Sequence, residues 1–291
     1  MCHRILIAIA LLTAAGWAEE NWAPVDLRAA AIDEYVRERD TSVDTRQQFA
    51  PPGFHAMFWG EDPDRFIIQV GAWYGKLNGP IKFENNTVLD VSDALGLDER
   101  EVIPFVRAGL RLGFVEIIGE WWKFDTDGQA IVDEQFEIDD VVFEIGDVIV
   151  SNLRLDVFRF ALGFTVWRRD AITITLLAGV SFIDTSGSVQ AVNVNKTARW
   201  NQTIPLPAIG LSLKGYIRYP FIYEVEANWI GYSEAAFGVY ALDLRAAVGV
   251  EFNDWGGGRI GYRFFRLEGE IEDVGLELEL AGFYLEFYAT F

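Results

Sequence analysis

The closing stretch Leu280–Phe291 reads LAGFYLEFYATF. Ala281, Phe283, Leu285, Phe287, Ala289 and Phe291 fall on one side of an extended chain; Leu280, Gly282, Tyr284, Glu286, Tyr288 and Thr290 fall on the other. Side chains of a strand alternate between its faces, so this segment is a strand with one oily face and one mixed, partly polar face. That polarity is the one a strand needs when lipid lies outside it and water or polar groups lie inside.

Working back from this end, the period of two recurs. From Arg65 onward ten alternating segments follow one another. They run over Phe66–Leu77, Val102–Phe114, a third reaching Phe124, about Val150–Trp167, Ile172 to Phe182, Ile204–Tyr216, Tyr219–Ser233, Val239–Phe252, Arg259–Leu267 and the closing stretch. The fifth alternates most cleanly, with Ile172, Ile174, Leu176, Ala178, Val180 and Phe182 against Thr173, Thr175, Gly179 and Ser181. Connections switch between long and short. The long ones are the polar stretch up to Glu101, the acidic Asp125–Val150 and the polar Thr185–Thr203; Arg168-Arg169-Asp170 and Asn253–Gly258 are short turns.

A chain ending on an aromatic residue, with apolar residues at every second position before it, resembles the carboxy-terminal insertion signal of Gram-negative outer-membrane β-barrels. Phe283, Leu285, Phe287 and Phe291 carry that resemblance. It implies an all-β fold, a transmembrane antiparallel up-and-down barrel, with both ends of the chain in the periplasm and long loops outside. An even strand number is required, and ten satisfies it; eight or twelve would follow if one hairpin is split or merged. The resemblance also implies outer-membrane lipids, lipopolysaccharide and the barrel-insertion machinery as partners, with oligomeric state left open. A soluble β-sandwich is the competing fold.

Composition agrees. Hydrophobic residues make up 51% and aromatics 14%, without a run of about 18 apolar residues beyond the amino terminus. The formal charge of −20 repels phosphate backbones and sets nucleic-acid binding aside. Residues 1–18 read as a signal peptide, with Arg4, the apolar Ile5–Leu12 and the small-residue context Gly16-Trp17-Ala18. Residues 19–64 read as a periplasmic segment with one helix, capped by Asp26 and running to about Arg39, and a linker broken at Pro51-Pro52-Gly53; residues 65–291 are the barrel.

Inward positions of the ten segments hold Arg107, Arg111, Glu120, Arg159, Glu224, Glu226, Asp243, Arg245, Glu251, Arg263 and Glu286. A hairpin centred near Glu234 and Ala235 places Glu226 opposite Arg245, and the Trp255 turn places Glu251 opposite Arg259. Either these groups pair and fill a closed interior, or they line a channel for ions or small solutes. Ten strands lie near the filled limit, which favours the paired network. Transport of an apolar ligand would need an apolar lumen, and the inward charges argue against one.

The sequence offers little for catalysis. Cys2 and His3 leave with the signal peptide, and His55, ahead of the first strand, is then the one histidine; a lipid-modifying outer-membrane enzyme of the usual histidine-based kind finds no such residue on the outer side. We therefore expect a non-enzymatic barrel that anchors or binds, with no catalytic, cofactor or dedicated metal residues. The acidic loops favour hard cations, calcium or magnesium. Within them, Lys123–Glu134 carries Asp125, Asp127, Gly128 and Glu134 at calcium-loop spacing, but Lys123 stands where the first ligand belongs.

Overall fold

The computed structural model describes residues 65–82, 88–138, 141–169, 172–234, 237–253, 255–271 and 274–291. The expected signal peptide and amino-terminal helix, and His55, lie outside the described residues. The strands are β1 (Arg65–Asn78), β2 (Pro80–Lys82), β3 (Val88–Asp90), β4 (Arg100–Leu112), β5 (Val115–Ile131), β6 (Phe136–Ile138), β7 (Val141–Phe143), β8 (Val148–Arg169), β9 (Ile172–Ala191), β10 (Lys196–Arg218), β11 (Phe221–Glu234), β12 (Phe237–Asn253), β13 (Gly256–Ile271) and β14 (Val274–Thr290). One short helix, α1, covers Val91–Leu95.

Ten strands form an antiparallel ring in the order β1-β4-β5-β8-β9-β10-β11-β12-β13-β14, and β14 returns to β1. The seam is complete: Phe66 and Phe291 exchange backbone hydrogen bonds at 3.1 and 2.9 Å. Closure leaves the ring no free ends, the condition for a sheet to cross hydrocarbon. Both chain termini of the ring and the tight connections at Gly113-Phe114 and Tyr219-Pro220 share one end, here called the terminal end. The longer connections share the other, distal end.

The outer surface changes character along one row. Trp121, Phe158, Phe182 and Pro205 are successive partners across β5, β8, β9 and β10. Toward the terminal end from that row, outward residues are apolar, as in Phe160, Leu162, Phe164 and Val166 of β8. The next outward row toward the distal end is Lys123, Asp156, Asp184 and Thr203, and the two rows after it are polar as well. On β8 the apolar side runs from Phe158 to Trp167, close to the nine to eleven residues a tilted strand needs to span a bilayer. Aromatics stand at both edges of this belt: Trp121, Trp229 and Tyr240 at the upper one, Phe114, Trp167, Phe252 and Trp255 at the lower.

The interior inverts at the same level. Below the row it holds the charges described in the next subsection. Above it, Trp122, Phe124, Leu153, Leu155, Val157, Ile183, Val189 and Ile204 are buried in one apolar core. The distal connections complete this core. Leu95 and Leu97 enter from the α1 loop, and Phe136, Ile138 and Phe143 from the β6–β7 hairpin, whose two phenylalanines stack at 5.1 Å.

Three expectations change here. The stretch Thr185–Thr203 is no bridge between strands: β9 continues to Ala191, β10 begins at Lys196, and the chain turns between them. The third strand continues past Phe124 to Ile131, and the polar run before Glu101 holds β2, β3 and α1. The calcium-like fragment is largely strand, with Asp125 opposite Arg154 and Asp127 opposite Asn152. Its Gly128 is set by packing: a Cβ there would run into the Gly96 carbonyl. In the extensions of β5, β9 and β10 the alternation persists with its sign reversed, oil inside and mainly polar groups outside. The lumen, too, is apolar in its distal half, so the inward charges describe only the terminal half.

The α1 loop is pinned by its cap. Part burial pushes the Asp90 carboxyl up. The Ser92 hydroxyl and backbone N–H both donate to that carboxylate and outweigh the burial, holding it below the usual carboxylate range. Gly96 closes the helix at φ 65°, a left-handed conformation that favours glycine.

Candidate functional site in the barrel lumen

Alternation places one inward residue every second position, and the ring brings those of neighbouring strands level. Glu226 of β11 stands opposite Arg245 of β12, the register expected from the hairpin. Its carboxylate accepts from three arginines on three strands: Arg107 at 2.9 Å, Arg159 at 2.8 Å and Arg245 at 2.9 Å. Asn228 Nδ2 donates to it at 3.0 Å. Glu120, on the facing wall, takes Arg159 at 2.6 Å and Arg263 at 2.7 Å. Arg263 in turn forks onto Asp243, with Nε and Nη2 at 2.9 and 2.7 Å. Such two-pronged contacts fix the guanidinium plane as well as its position.

A second tier lies nearer the terminal end. Arg245 reaches Glu224 at 3.2 Å, Arg259 bridges Glu224 and Glu286, and Lys214 stands 3.7 Å from Glu224. Arg111 pairs with Glu116 at 3.5 Å. Glu251 is not opposite Arg259. The β12–β13 ladder, with a bulge between Glu251 and Asn253, sets Glu251 against Gly257 and Arg259 against Gly249. The Glu251 carboxylate instead accepts from the Tyr216 and Tyr288 hydroxyls, at 2.7 and 3.4 Å.

The eleven inward charges named from the sequence face the lumen, in the ion pairs above and, for Glu251, in hydrogen bonds from tyrosine hydroxyls. Sequence reasoning passed over Glu116, Lys214 and Asn228, which the same parity rule would have found. The four residues of the closing signal, Phe283, Leu285, Phe287 and Phe291, are exposed on the outer face.

Burying so many charges costs solvation, and mutual attraction repays it only when each group is paired with good geometry. Glu226 is wholly buried, with Arg107, Arg159 and Arg245 all within 2.9 Å of its carboxylate. Above the cluster sits an aromatic floor. The Arg263 guanidinium lies 5.4 Å from the ring centres of both Trp73 and Trp122. Those two rings meet edge to face at 5.9 Å, and Trp122 meets Phe265 at 4.9 Å. This cation–π contact is the junction between the charged and the apolar halves of the interior. Residues 65–291 contain neither histidine nor cysteine, so the lumen offers fixed charge and tyrosine hydroxyls.

No family model and no curated relative matches the chain. Among solved structures it is similar to the outer-membrane protease OmpT from Escherichia coli, at 12% identity over 80% of this chain and 98% of that one, with a TM-score of 0.48. It is similar to Ail, the attachment invasion locus protein of Yersinia pestis, at 10% identity over 78% and 99%, TM-score 0.36. It is also similar to the toluene transporter TodX of Pseudomonas putida, at 6% identity over 83% and 92%, TM-score 0.34.

Proposed function

We propose that this outer-membrane β-barrel is a sealed, non-enzymatic anchor that carries a rigid β-structured platform out of the membrane for binding. Residues 1–18 are removed on export, residues 19–64 lie in the periplasm, and the distal half faces the outside, where such barrels place their longer connections. The observation that carries the reading is the content of the two halves of the interior. Glu226, Glu120 and Asp243 are buried in ion pairs with arginines of several strands in one half, and an apolar core that includes Leu95, Phe136 and Phe143 is buried in the other. Barrels of about eight strands are just filled by side chains, and open channels belong to those of about sixteen.

Planar-bilayer recording of the full-length protein tests this. The sealed reading expects electrical silence in molar potassium chloride at moderate voltage. Discrete, ion-selective opening steps would instead make the arginines and carboxylates the lining of a narrow channel. Lipid A mass spectra from cells with and without the protein should be identical; a changed acylation or phosphate pattern would contradict the non-enzymatic part.

A further inference from the structure

The ring is unevenly sealed at its distal end. β10 pairs with β9 along its whole length, from Lys196↔Ala191 to Gly215↔Ile172. Its ladder with β11, however, stops at Ala208↔Ile230. Beyond that point β11 continues only with β12. Among the described residues, β10 from Thr197 to Pro207 therefore has a ladder neighbour on one side only. Lys196, at its tip, is held by the β7 backbone, Nζ to the Val142 carbonyl at 3.0 Å.

The prolines tell which groups point at this edge. Pro205 and Pro207 have no N–H, yet each lies opposite a β9 residue in an unbroken ladder. They must occupy the positions whose N–H would point away from β9. By parity, Thr197, Arg199, Asn201 and Thr203 turn their N–H and C=O outward to the free edge. The two prolines blunt the edge nearest the membrane, and the four residues beyond them are left able to pair.

Charge selects the occupant. On this stretch and its tip β10 carries Arg199 and Lys196 and no carboxylate, in a chain of net charge −20. Arg199 is exposed on the free stretch, and its cross-strand neighbour is Ser188. We infer that the Thr197–Thr203 edge of β10 takes an extended acidic segment of another protein as an added strand, its backbone pairing with β10 and its carboxylates meeting Arg199. This names the partner class of the proposed binding platform and rests on that reading. Conductance bears on the seal alone, so the two can fail separately.

The test uses the full-length protein in detergent and a fluorescent octapeptide alternating glutamate and valine. Saturable binding is expected, with amide exchange slowed at Thr197, Arg199, Asn201 and Thr203. Asn201→Pro removes one edge donor while keeping the β9 ladder, as Pro205 already does, and should weaken binding about tenfold. Arg199→Glu should weaken it similarly without touching the backbone. A peptide N-methylated at alternate amides should fail to bind the unaltered protein, which keeps the test valid if Asn201→Pro misfolds. No saturable binding, or binding indifferent to all three changes, overturns the inference. Equal binding of a lysine–valine peptide overturns its charge selection. Self-association lost in Asn201→Pro and not competed by the peptide would make a second copy the occupant instead.

Discussion

Two halves of the same strands obey opposite rules. Below the row Trp121, Phe158, Phe182 and Pro205, the barrel keeps its charges inside and its oil outside: Arg159 is 3% exposed while Phe164, on the same strand, is 41%. Above the row Leu155 is buried and Arg154 is exposed. Along β8 the ladders to β5 and β9 run unbroken across that row. A strand supplies two faces, and the medium outside decides which must be apolar. In hydrocarbon the outer face is apolar and the lumen can afford only charges that are paired. In water the rule is that of any soluble β-protein, with a packed apolar interior.

The largest effect should come from unpairing the lower half. Glu226→Ala leaves Arg107, Arg159 and Arg245 facing one another, and the loss of one partner from a buried ionic network costs about 3–5 kcal/mol. Urea unfolding followed by tryptophan fluorescence in lipid should show it. A change under about 1 kcal/mol would mean that water already screens these groups, and the lower half would not be a sealed core.

The same residue introduced on either side of the row sharpens the contrast. Leu162→Arg places a cation against hydrocarbon and should cost about 2–4 kcal/mol. Val150→Arg, outward on the same strand but beyond the row, should stay within about 0.5 kcal/mol. Equal costs would erase the boundary.

How far this contrast could be read in advance depends on which half is considered. The lipid-facing segments were legible because their outer residues are large and apolar, as in Phe158–Val166 or Phe283–Phe287. Ten strands and the Glu226–Arg245 pairing followed from that alternation and from the lengths of the turns. The continuation of β9 and β10 was not legible, because its outward residues Asp184, Ser186 and Ser188 read as linker. Its inward ones alternate small with large, Gly187 beside Val189 and Ala191, and so make no strong stripe. The partner of Glu251 was hidden for another reason: the ladder closes as Asn253↔Gly256 and, past a bulge, sets Glu251 against Gly257, two places from Arg259.

The smallest effect belongs to the rim of the upper half. Asp90→Ala removes the acceptor that starts α1 and should loosen residues 92–97 by about 1 kcal/mol, seen as faster amide exchange. The Asp90 carboxyl is held below the ordinary range in the fold, so its contribution is present at neutral pH. It disappears as the pH falls through that lowered value, and the exchange rates of the unaltered protein and the variant should then converge.

The most direct test is a depth scan along β8. Single cysteines at outward positions 152, 154, 156, 158, 160, 162, 164 and 166 of the exported protein would carry nitroxide labels in liposomes. The account predicts that labels at 158–166 are reached by oxygen and shielded from a water-soluble nickel reagent, with the order reversing between 158 and 156. Uniform exposure to lipid, or a reversal several residues away, would contradict it.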